Sequence, residues 1–153
     1  MQFVMKPIGT VVGGRDEAVD DGWRDVESTI VLDADGISPD ATDGLADFSH
    51  VEVVYVFHRV DLDDVVGGAR HPRGNTAWPK VGILAQRARM RPNRIGVTVC
   101  ELVSVGGREL AVRGLDAVDG SPVLDVKPYM PEFAPRGAVR RPAWSAELMR
   151  GYW

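Results

Sequence analysis

The chain of 153 residues is 44% hydrophobic and 26% charged, a composition typical of an ordinary globular domain with its own core. A formal net charge of −4 excludes the overall positive field of a general nucleic-acid-binding protein. The single cysteine, Cys100, excludes an internal disulfide, and no apolar run reaches membrane-spanning length. Because residues 1–10 also lack the features of a secretion signal, we expect a cytoplasmic protein with one domain over residues 1–153 and no additional C-terminal domain.

Short apolar runs separated by turn residues predict a chain made mainly of strands. The 17 glycines and 10 prolines are numerous for this length and separate the runs. In chain order, strands are predicted over residues 2–12, 26–32, 51–58, 81–87, 95–105, 109–115 and 123–126. Short helices are predicted over residues 39–48 and 143–150. This order favours a mainly β fold, either a barrel or a sandwich, with short peripheral helices.

The predicted strand over residues 51–58 alternates most clearly, with Val51, Val53 and Tyr55 on one face and His50 and His58 on the other. At about 3.3 Å per residue, the two histidines lie roughly 26 Å apart and do not bind one metal ion. The chain also lacks a cysteine pair, a Gly-x-Gly-x-x-Gly turn and a phosphate-binding Gly-x-x-x-x-Gly-Lys loop. Neither a metal site nor a Rossmann-type nucleotide site is therefore predicted.

Four arginines, Arg87, Arg89, Arg91 and Arg94, lie within eight residues around a predicted Arg-Pro-Asn turn. If the segment before the turn is a strand, alternating arginines point to one side of it. Guanidinium groups in that arrangement suit a carboxylate, a phosphate or a nucleotide backbone. The alternative interpretation is a solvated strand edge whose charges prevent aggregation.

Carboxylates, a lysine and a tyrosine follow the later predicted strands. Asp116 ends one strand, where its carboxylate suits ribose hydroxyls or an amine, whereas Asp119 precedes Gly120 in an ordinary turn. Lys127 and Tyr129 flank Pro128 after the last strand and predict a cation and an aromatic ring at a rim. A simple strand terminator is the alternative at that position.

Taken together, these segments resemble the TsaA-like, or TrmO, family of S-adenosylmethionine-dependent methyltransferases. The matching segments are Pro7-Ile8-Gly9, Gly44-Leu45, Phe48-Ser49-His50, Phe57-His58, Gly82-Ile83, Ala85-x-Arg87, Arg91-Pro92-Asn93-x-Ile95-Gly96, Gly114-Leu115-Asp116, and Asp119-Gly120-x-Pro122-Val123-Leu124-Asp125-Val126-Lys127-Pro128-Tyr129. They occur in the family's order over roughly residues 6–131. The resemblance implies methylation at N6 of threonylcarbamoyladenosine beside the tRNA anticodon.

The resemblance further implies a compact β-barrel, not a Rossmann fold, that forms a homodimer with the cofactor near the subunit interface. Carried over position by position, the S-adenosyl-L-methionine site comprises Gly22, Trp23, His58, Arg59, Arg87, Val97, Gly114, Leu115 and Asp116. The chemistry agrees, because an arginine suits the methionine carboxylate and an aspartate suits ribose hydroxyls or the ammonium group. Methyl transfer itself is an in-line displacement that depends mainly on positioning.

On the acceptor side, we expect Arg89, Arg91 and Arg94 to bind tRNA or another anionic substrate. The catalytic candidates around the transferred methyl group are Asp119, Lys127 and Tyr129, and the sequence identifies no general base. Two alternatives stay open: a methyltransferase acting on a small molecule or another modified base, and a non-catalytic module that binds cofactor or RNA.

The sequence departs from the family pattern at Gln86, Ala88 and Arg94, where threonine, serine and proline are usual. The C-terminal segment adds three aromatic residues, Trp144, Tyr152 and Trp153. We expect these rings either to anchor the homodimer interface or to cap the barrel of their own subunit.

Overall fold

The computed structural model describes residues 1–153 and contains eight strands and one α-helix. Their bounds are β1 Gly9–Val12, β2 Glu27–Leu32, β3 His50–Val56, β4 Ala69–Arg70, β5 Val81–Gly82, β6 Ile95–Gly106, β7 Glu109–Arg113, β8 Pro122–Pro128 and α1 Ala143–Leu148. Six strands close an antiparallel barrel in the order β1-β2-β7-β6-β3-β8, and β4 and β5 form a separate ribbon. The predicted compact β-barrel is confirmed, and no helix has the length and apolarity needed to cross a membrane.

Alternating residues of the strands fill the barrel, as the pattern in β3 predicts. Val51, Val53 and Tyr55 are each at most 1% exposed, and their neighbours in the sequence lie on the outer face. Tyr55 stands opposite Gly96 of β6, where an added Cβ would lie 2.5 Å from Cζ of the tyrosine ring. A glycine is therefore required there, and it lets the ring lie along the inner wall with its hydroxyl at one mouth of the barrel.

Two predicted strands are much shorter than expected. The first, predicted over residues 2–12, begins only at Gly9, because only Gly9–Val12 pair with β2 and β8. The fourth, predicted over residues 81–87, ends at Gly82 because the chain turns at once into a 3₁₀ helix, Ile83–Ala85, that buries Ile83. The segment leading to the arginines is therefore not a strand.

The structure also differs from the sequence in the type and length of the predicted helices. Residues 39–48, predicted as one short helix, form two 3₁₀ turns, Pro39–Thr42 and Leu45–Asp47, separated by Gly44 with φ of 80°. Left-handed backbone at that glycine interrupts any continuous helix. The C-terminal helix is confirmed but ends at Leu148 rather than at residue 150.

Candidate functional site at the barrel mouth

Three hydroxyl groups converge on one carboxylate at the mouth of the barrel, forming what we term the Asp116 cluster: Tyr55, Thr98, Asp116 and Tyr152. The Tyr55 hydroxyl lies 2.9 Å from both Oδ1 and the main-chain oxygen of Asp116. Thr98 donates to the same Oδ1, and Tyr152 donates to Oδ2. The donors come from β3, β6 and the C-terminal segment, so three separate elements fix the orientation of this carboxylate.

The local backbone explains why Asp116 reaches this position. Gly114, just after β7, has φ of 81°, a left-handed conformation that turns the chain away from the strand. Its amide donates to the carbonyl of Val26 at 2.9 Å, and the next residue, Leu115, is fully buried in the core. With Leu115 pointing inward, the chain carries the Asp116 carboxylate over the mouth.

Burial, and then the charge of Asp116, raise the pKa of both Tyr55 and Tyr152 far above the ordinary value. Both hydroxyls therefore remain protonated donors at physiological pH. The charges of Arg87 and Arg73 act on the pKa of Tyr152 in the opposite direction, and hydrogen bonds to Val97 and Asp21 hold these two guanidinium groups at the same end of the barrel. The cluster thus joins a carboxylate and two cations at a single mouth.

Residues 13–25, termed the mouth loop, lie over this end of the barrel and are held by several arginines. Arg15 lies 4.8 Å from the centre of the buried Trp23 ring and donates to the carbonyls of Asp21 and Gly22. Outside the loop, Arg59 pairs with Asp16 at 2.7 Å and Arg73 pairs with Asp21 at 2.8 Å. The acidic side chains of the loop thereby neutralise cations on the rim.

The arginine segment, Arg87–Arg94, is not a strand, which corrects the expectation that its side chains follow strand alternation. Arg87 donates to the carbonyl of Val97 at 2.6 Å, and Arg89 donates to Ala18 of the mouth loop at 2.7 Å. Arg91 and Arg94, both half-buried, donate to the carbonyls of Gln86 and Val60 at 2.7 and 2.6 Å. Each guanidinium therefore ties a different main-chain segment, because a 3₁₀ turn and a left-handed turn replace the predicted strand.

His58 lies beyond the end of β3, beside the mouth loop. Its Nδ1 is buried and has no hydrogen-bond partner, and burial, followed by the charge of Arg59, lowers its pKa. The imidazole is therefore neutral at physiological pH, with one nitrogen unsatisfied. Asp119 lies nearby: its Oδ1 accepts the amide of Gly13 at 2.7 Å and its carbonyl accepts Arg59 at 3.2 Å.

The three catalytic candidates are not brought together within one chain. Asp119 precedes β8 near the mouth, where Val123 pairs with Tyr55. Lys127 pairs in register with Glu52, and the amide of Tyr129 donates to the carbonyl of His50 at 3.0 Å, at the opposite end of β3. Six residue steps of β8 separate the two ends by about 20 Å at ~3.3 Å per residue. Lys127 there forms an exposed ion pair with Asp125.

Comparison with known proteins identifies the family. Residues 20–134 match the family described as the tRNA-methyltransferase O N-terminal domain. The chain belongs to this family. All the site residues predicted from the sequence fall within the matched segment, whereas Tyr152 of the Asp116 cluster lies outside it.

Members and structural relatives of the tRNA-methyltransferase O family cover much of this chain. A protein of Pyrococcus abyssi named "Probable S-adenosyl-L-methionine-binding protein" is 39% identical over 121 residues, which cover 76% of this chain and 60% of that protein. The tRNA (adenine(37)-N6)-methyltransferase of Mus musculus is 40% identical over 90 residues, covering 59% and 20%. A crystal structure of TrmO superposes with a TM-score of 0.75 and 29% identity, covering 92% of this chain and 64% of that one. The chain thus spans less than two thirds of each relative.

Sequence reasoning missed Tyr55, Thr98 and Tyr152 as members of this site. The alternation in β3 marks Tyr55 as buried but does not reveal that its hydroxyl has a charged partner at the barrel mouth. Thr98 had one available signal, a hydroxyl on the inward face of an otherwise apolar strand, 6% exposed. Tyr152 lies 36 residues from Asp116, and no pattern in the family resemblance connects them.

Proposed function

We propose that this protein is an S-adenosyl-L-methionine-dependent methyltransferase that modifies N6 of adenine 37 in tRNA, with the threonylcarbamoyl form of that base as substrate. The observation that carries the proposal is that Arg87 and Asp116 are both held at neighbouring residues of β6 at one barrel mouth, Arg87 by the carbonyl of Val97 and Asp116 by the hydroxyl of Thr98. Family membership over residues 20–134 supports the reaction class, and the names of the relatives support both cofactor and acceptor.

The residues at the mouth fit this cofactor chemically. Arg87 suits the methionine carboxylate, and its carbonyl partner Val97 holds one of its nitrogens and so orients the group. Oδ2 of Asp116 suits ribose hydroxyls or the ammonium group. When bound, the cofactor supplies a methyl group activated by its positively charged sulfur.

The remaining predicted cofactor residues have supporting roles in the proposal. Leu115, fully buried in the core, anchors the segment that carries Asp116, and Gly114 provides the turn that directs Asp116 toward the mouth. Gly22 and Trp23 belong to the mouth loop, which Arg59 holds through Asp16. We propose that the loop excludes water from the reacting atoms, so that catalysis depends chiefly on positioning.

We also propose a cytoplasmic homodimer. Val97 and Val99 on the outer face of β6 are 37% and 38% exposed, a small apolar surface of the kind that subunit interfaces bury. Of the catalytic candidates, Asp119 lies at the same mouth as Asp116. Lys127 and Tyr129 lie at the opposite end of β8 and would reach an Asp116 mouth only if it belonged to a second subunit. Light scattering at micromolar concentration with cofactor present is expected to give the mass of a dimer, and a monomer mass would refute this assembly.

Calorimetry with S-adenosyl-L-methionine tests the cofactor site. Loss of a charge-assisted hydrogen bond in Arg87→Ala is expected to weaken binding about 10- to 150-fold. The matched control is Arg136→Ala, an exposed arginine outside the site, which is expected to bind as the parent does. Undiminished binding by Arg87→Ala would refute the role of this arginine.

Mass spectrometry of bulk tRNA from cells with and without the protein tests the acceptor. The proposed reaction predicts that the N6-methyl form of threonylcarbamoyladenosine disappears with the protein. Turnover on tRNA that lacks threonylcarbamoyl groups, or on a small molecule, would favour the alternative methyltransferase. Cofactor binding without turnover on any acceptor would favour the non-catalytic module.

A further inference from the structure

The C-terminal tail, residues 149–153, lies across the mouth where the cofactor contacts are proposed. The carbonyls of Gly151 and Tyr152 accept the amides of Gly22 and Trp23 at 2.9 and 2.8 Å. The hydroxyl of Tyr152 donates to Oδ2 of Asp116. All three partners of the tail belong to the proposed cofactor site, so the tail occupies hydrogen-bonding groups that a ligand would use.

Only one oxygen of Asp116 is suited to a change of partner. Oδ1 accepts from Tyr55 and Thr98, which are fixed on strands inside the barrel. Oδ2 accepts from Tyr152 alone, and this donor stands on the last few residues of the chain. A ligand hydroxyl or ammonium group would therefore compete with Tyr152 for Oδ2, the carboxylate oxygen of Asp116 that no strand residue contacts.

The surrounding charges favour the same competition. The Tyr152 hydroxyl donates to the Asp116 carboxylate, and two cations are held close by: Arg87 by the carbonyl of Val97, next to Thr98, and Arg73 by Asp21 of the mouth loop. An amino acid group with its own ammonium and carboxylate is the natural replacement for a hydroxyl placed between charges of both signs. The tail hydroxyl thus stands in for part of a zwitterionic ligand.

We propose that Tyr152 is an internal competitor for the cofactor site, occupying Oδ2 of Asp116 in the free protein and leaving when a ligand donates to that oxygen. The inference rests on the proposed function. Release requires rotation at Gly151, which has φ of 84° and lies three residues beyond the end of α1, together with loss of the hydrogen bond from the Trp23 amide to the Tyr152 carbonyl. The helix itself stays held, because Trp78 donates to Glu147 at 2.9 Å.

Calorimetry with S-adenosylhomocysteine, the demethylated cofactor, tests the competition. Tyr152→Phe keeps the ring and removes the hydroxyl, while a chain ending at Arg150 removes the tail contacts altogether. Each is expected to bind the ligand about 10-fold or more tightly than the parent, the fold-change that one charge-assisted hydrogen bond represents. Arg136→Ala, exposed and outside the site, is the control and is expected to bind as the parent does.

Fluorine NMR of the protein labelled with 3-fluorotyrosine supplies a readout independent of affinity. Saturating ligand is expected to shift the Tyr152 resonance to that of a solvent-exposed ring. A Tyr152 resonance that does not move, or variants that bind no more tightly than a parent that does bind, would overturn the competitor role. Failure of all three proteins to bind would instead overturn the proposed cofactor site, and this inference with it.

Discussion

The Asp116 cluster and the arginine segment, Arg87–Arg94, are both polar regions near one mouth of the barrel, but they use their polar atoms in opposite ways. In the cluster, three side chains from distant parts of the sequence donate to one carboxylate. In the arginine segment, four guanidinium groups donate to four separate main-chain carbonyls. The Asp116 cluster thus directs its hydrogen bonds to one carboxylate, whereas the arginine segment distributes its hydrogen bonds over the backbone.

This difference separates two kinds of contribution. A main-chain carbonyl that accepts a hydrogen bond from an arginine is a fixed part of the fold, and removing the arginine leaves that carbonyl without its donor. A carboxylate with one oxygen held by strands and the other by the C-terminal tail is oriented and, in our proposal, open to exchange. Substitutions in the two regions should therefore change stability by different amounts, and four comparisons test this.

The largest expected effect is that of Gly96→Ala. The added Cβ would lie 2.5 Å from the Tyr55 ring, so the ring must move and its hydroxyl must leave Asp116. Overpacking of this kind costs about 3 kcal/mol of unfolding free energy. Urea denaturation measures the loss, and Gly106→Ala at the end of the same strand, with no atom within 4 Å, is the control. Equal stability of the two variants would show that the Tyr55 ring is not confined.

Thr98→Val tests the carboxylate side of the comparison directly. It conserves shape and removes one donor to Oδ1 of Asp116, a hydrogen bond to a charged group that contributes about 2 kcal/mol. Thr10→Val, on the exposed face of β1, is the control and is expected to stay within about 0.5 kcal/mol of the parent. If the two valine variants unfold at the same denaturant concentration, the cluster does not stabilise the fold.

Much of the fold follows from the sequence, because a period of two identifies inward residues wherever a strand pairs on both sides. The strand from Ile95 to Gly106 and the inward set Val51, Val53 and Tyr55 are examples. The strand predicted over residues 81–87 failed because an apolar run also fits a 3₁₀ turn that buries Ile83. Periodicity does not distinguish these two outcomes over so short a segment.

The candidate site is less predictable, because its geometry depends on contacts between distant segments. The family resemblance led to Asp116 and Arg87 as positions but not to the partners that orient them. The direction of the arginines was predicted wrongly, since each guanidinium reaches a carbonyl set by loop geometry rather than by strand alternation. Tyr152 was expected as an interface anchor or a cap, and its bond to Asp116 follows from the path of the tail.

The pH dependence of stability is the third comparison. Burial and Asp116 raise the pKa of Tyr55 and Tyr152 above 10.0, and burial raises that of Cys100 from 9.0 to about 12. The unfolded chain releases these protons at lower pH than the folded chain, so stability is fully present below about pH 9 and falls as pH rises further. Each group contributes a slope of up to about 1.4 kcal/mol per pH unit.

Tyr152→Phe is expected to remove one such contribution, so the free energy of unfolding declines less steeply between pH 10 and 11. Denaturation curves at several pH values measure the slope. Tyr129→Phe removes a tyrosine outside the cluster and is the control, expected to keep the parent slope. A parent whose stability does not change above pH 10 would contradict the buried, protonated state of both cluster tyrosines.

The smallest expected effect distinguishes a fold-stabilising arginine from one that binds phosphate. Arg94→Ala removes the donor to the carbonyl of the buried Val60 and is expected to cost about 1 kcal/mol. Arginine and alanine both carry a Cβ, so the left-handed backbone at this residue, φ 53°, contributes equally to both forms.

Arg136→Ala, exposed and outside the segment, controls for the loss of one charge in denaturation and in tRNA binding. A phosphate contact would instead lower the slope of log affinity against log salt by about 0.7 to 0.9 without loss of stability. Loss of stability with an unchanged salt slope would assign Arg94 to the fold, and the opposite pair of results would assign it to the acceptor surface.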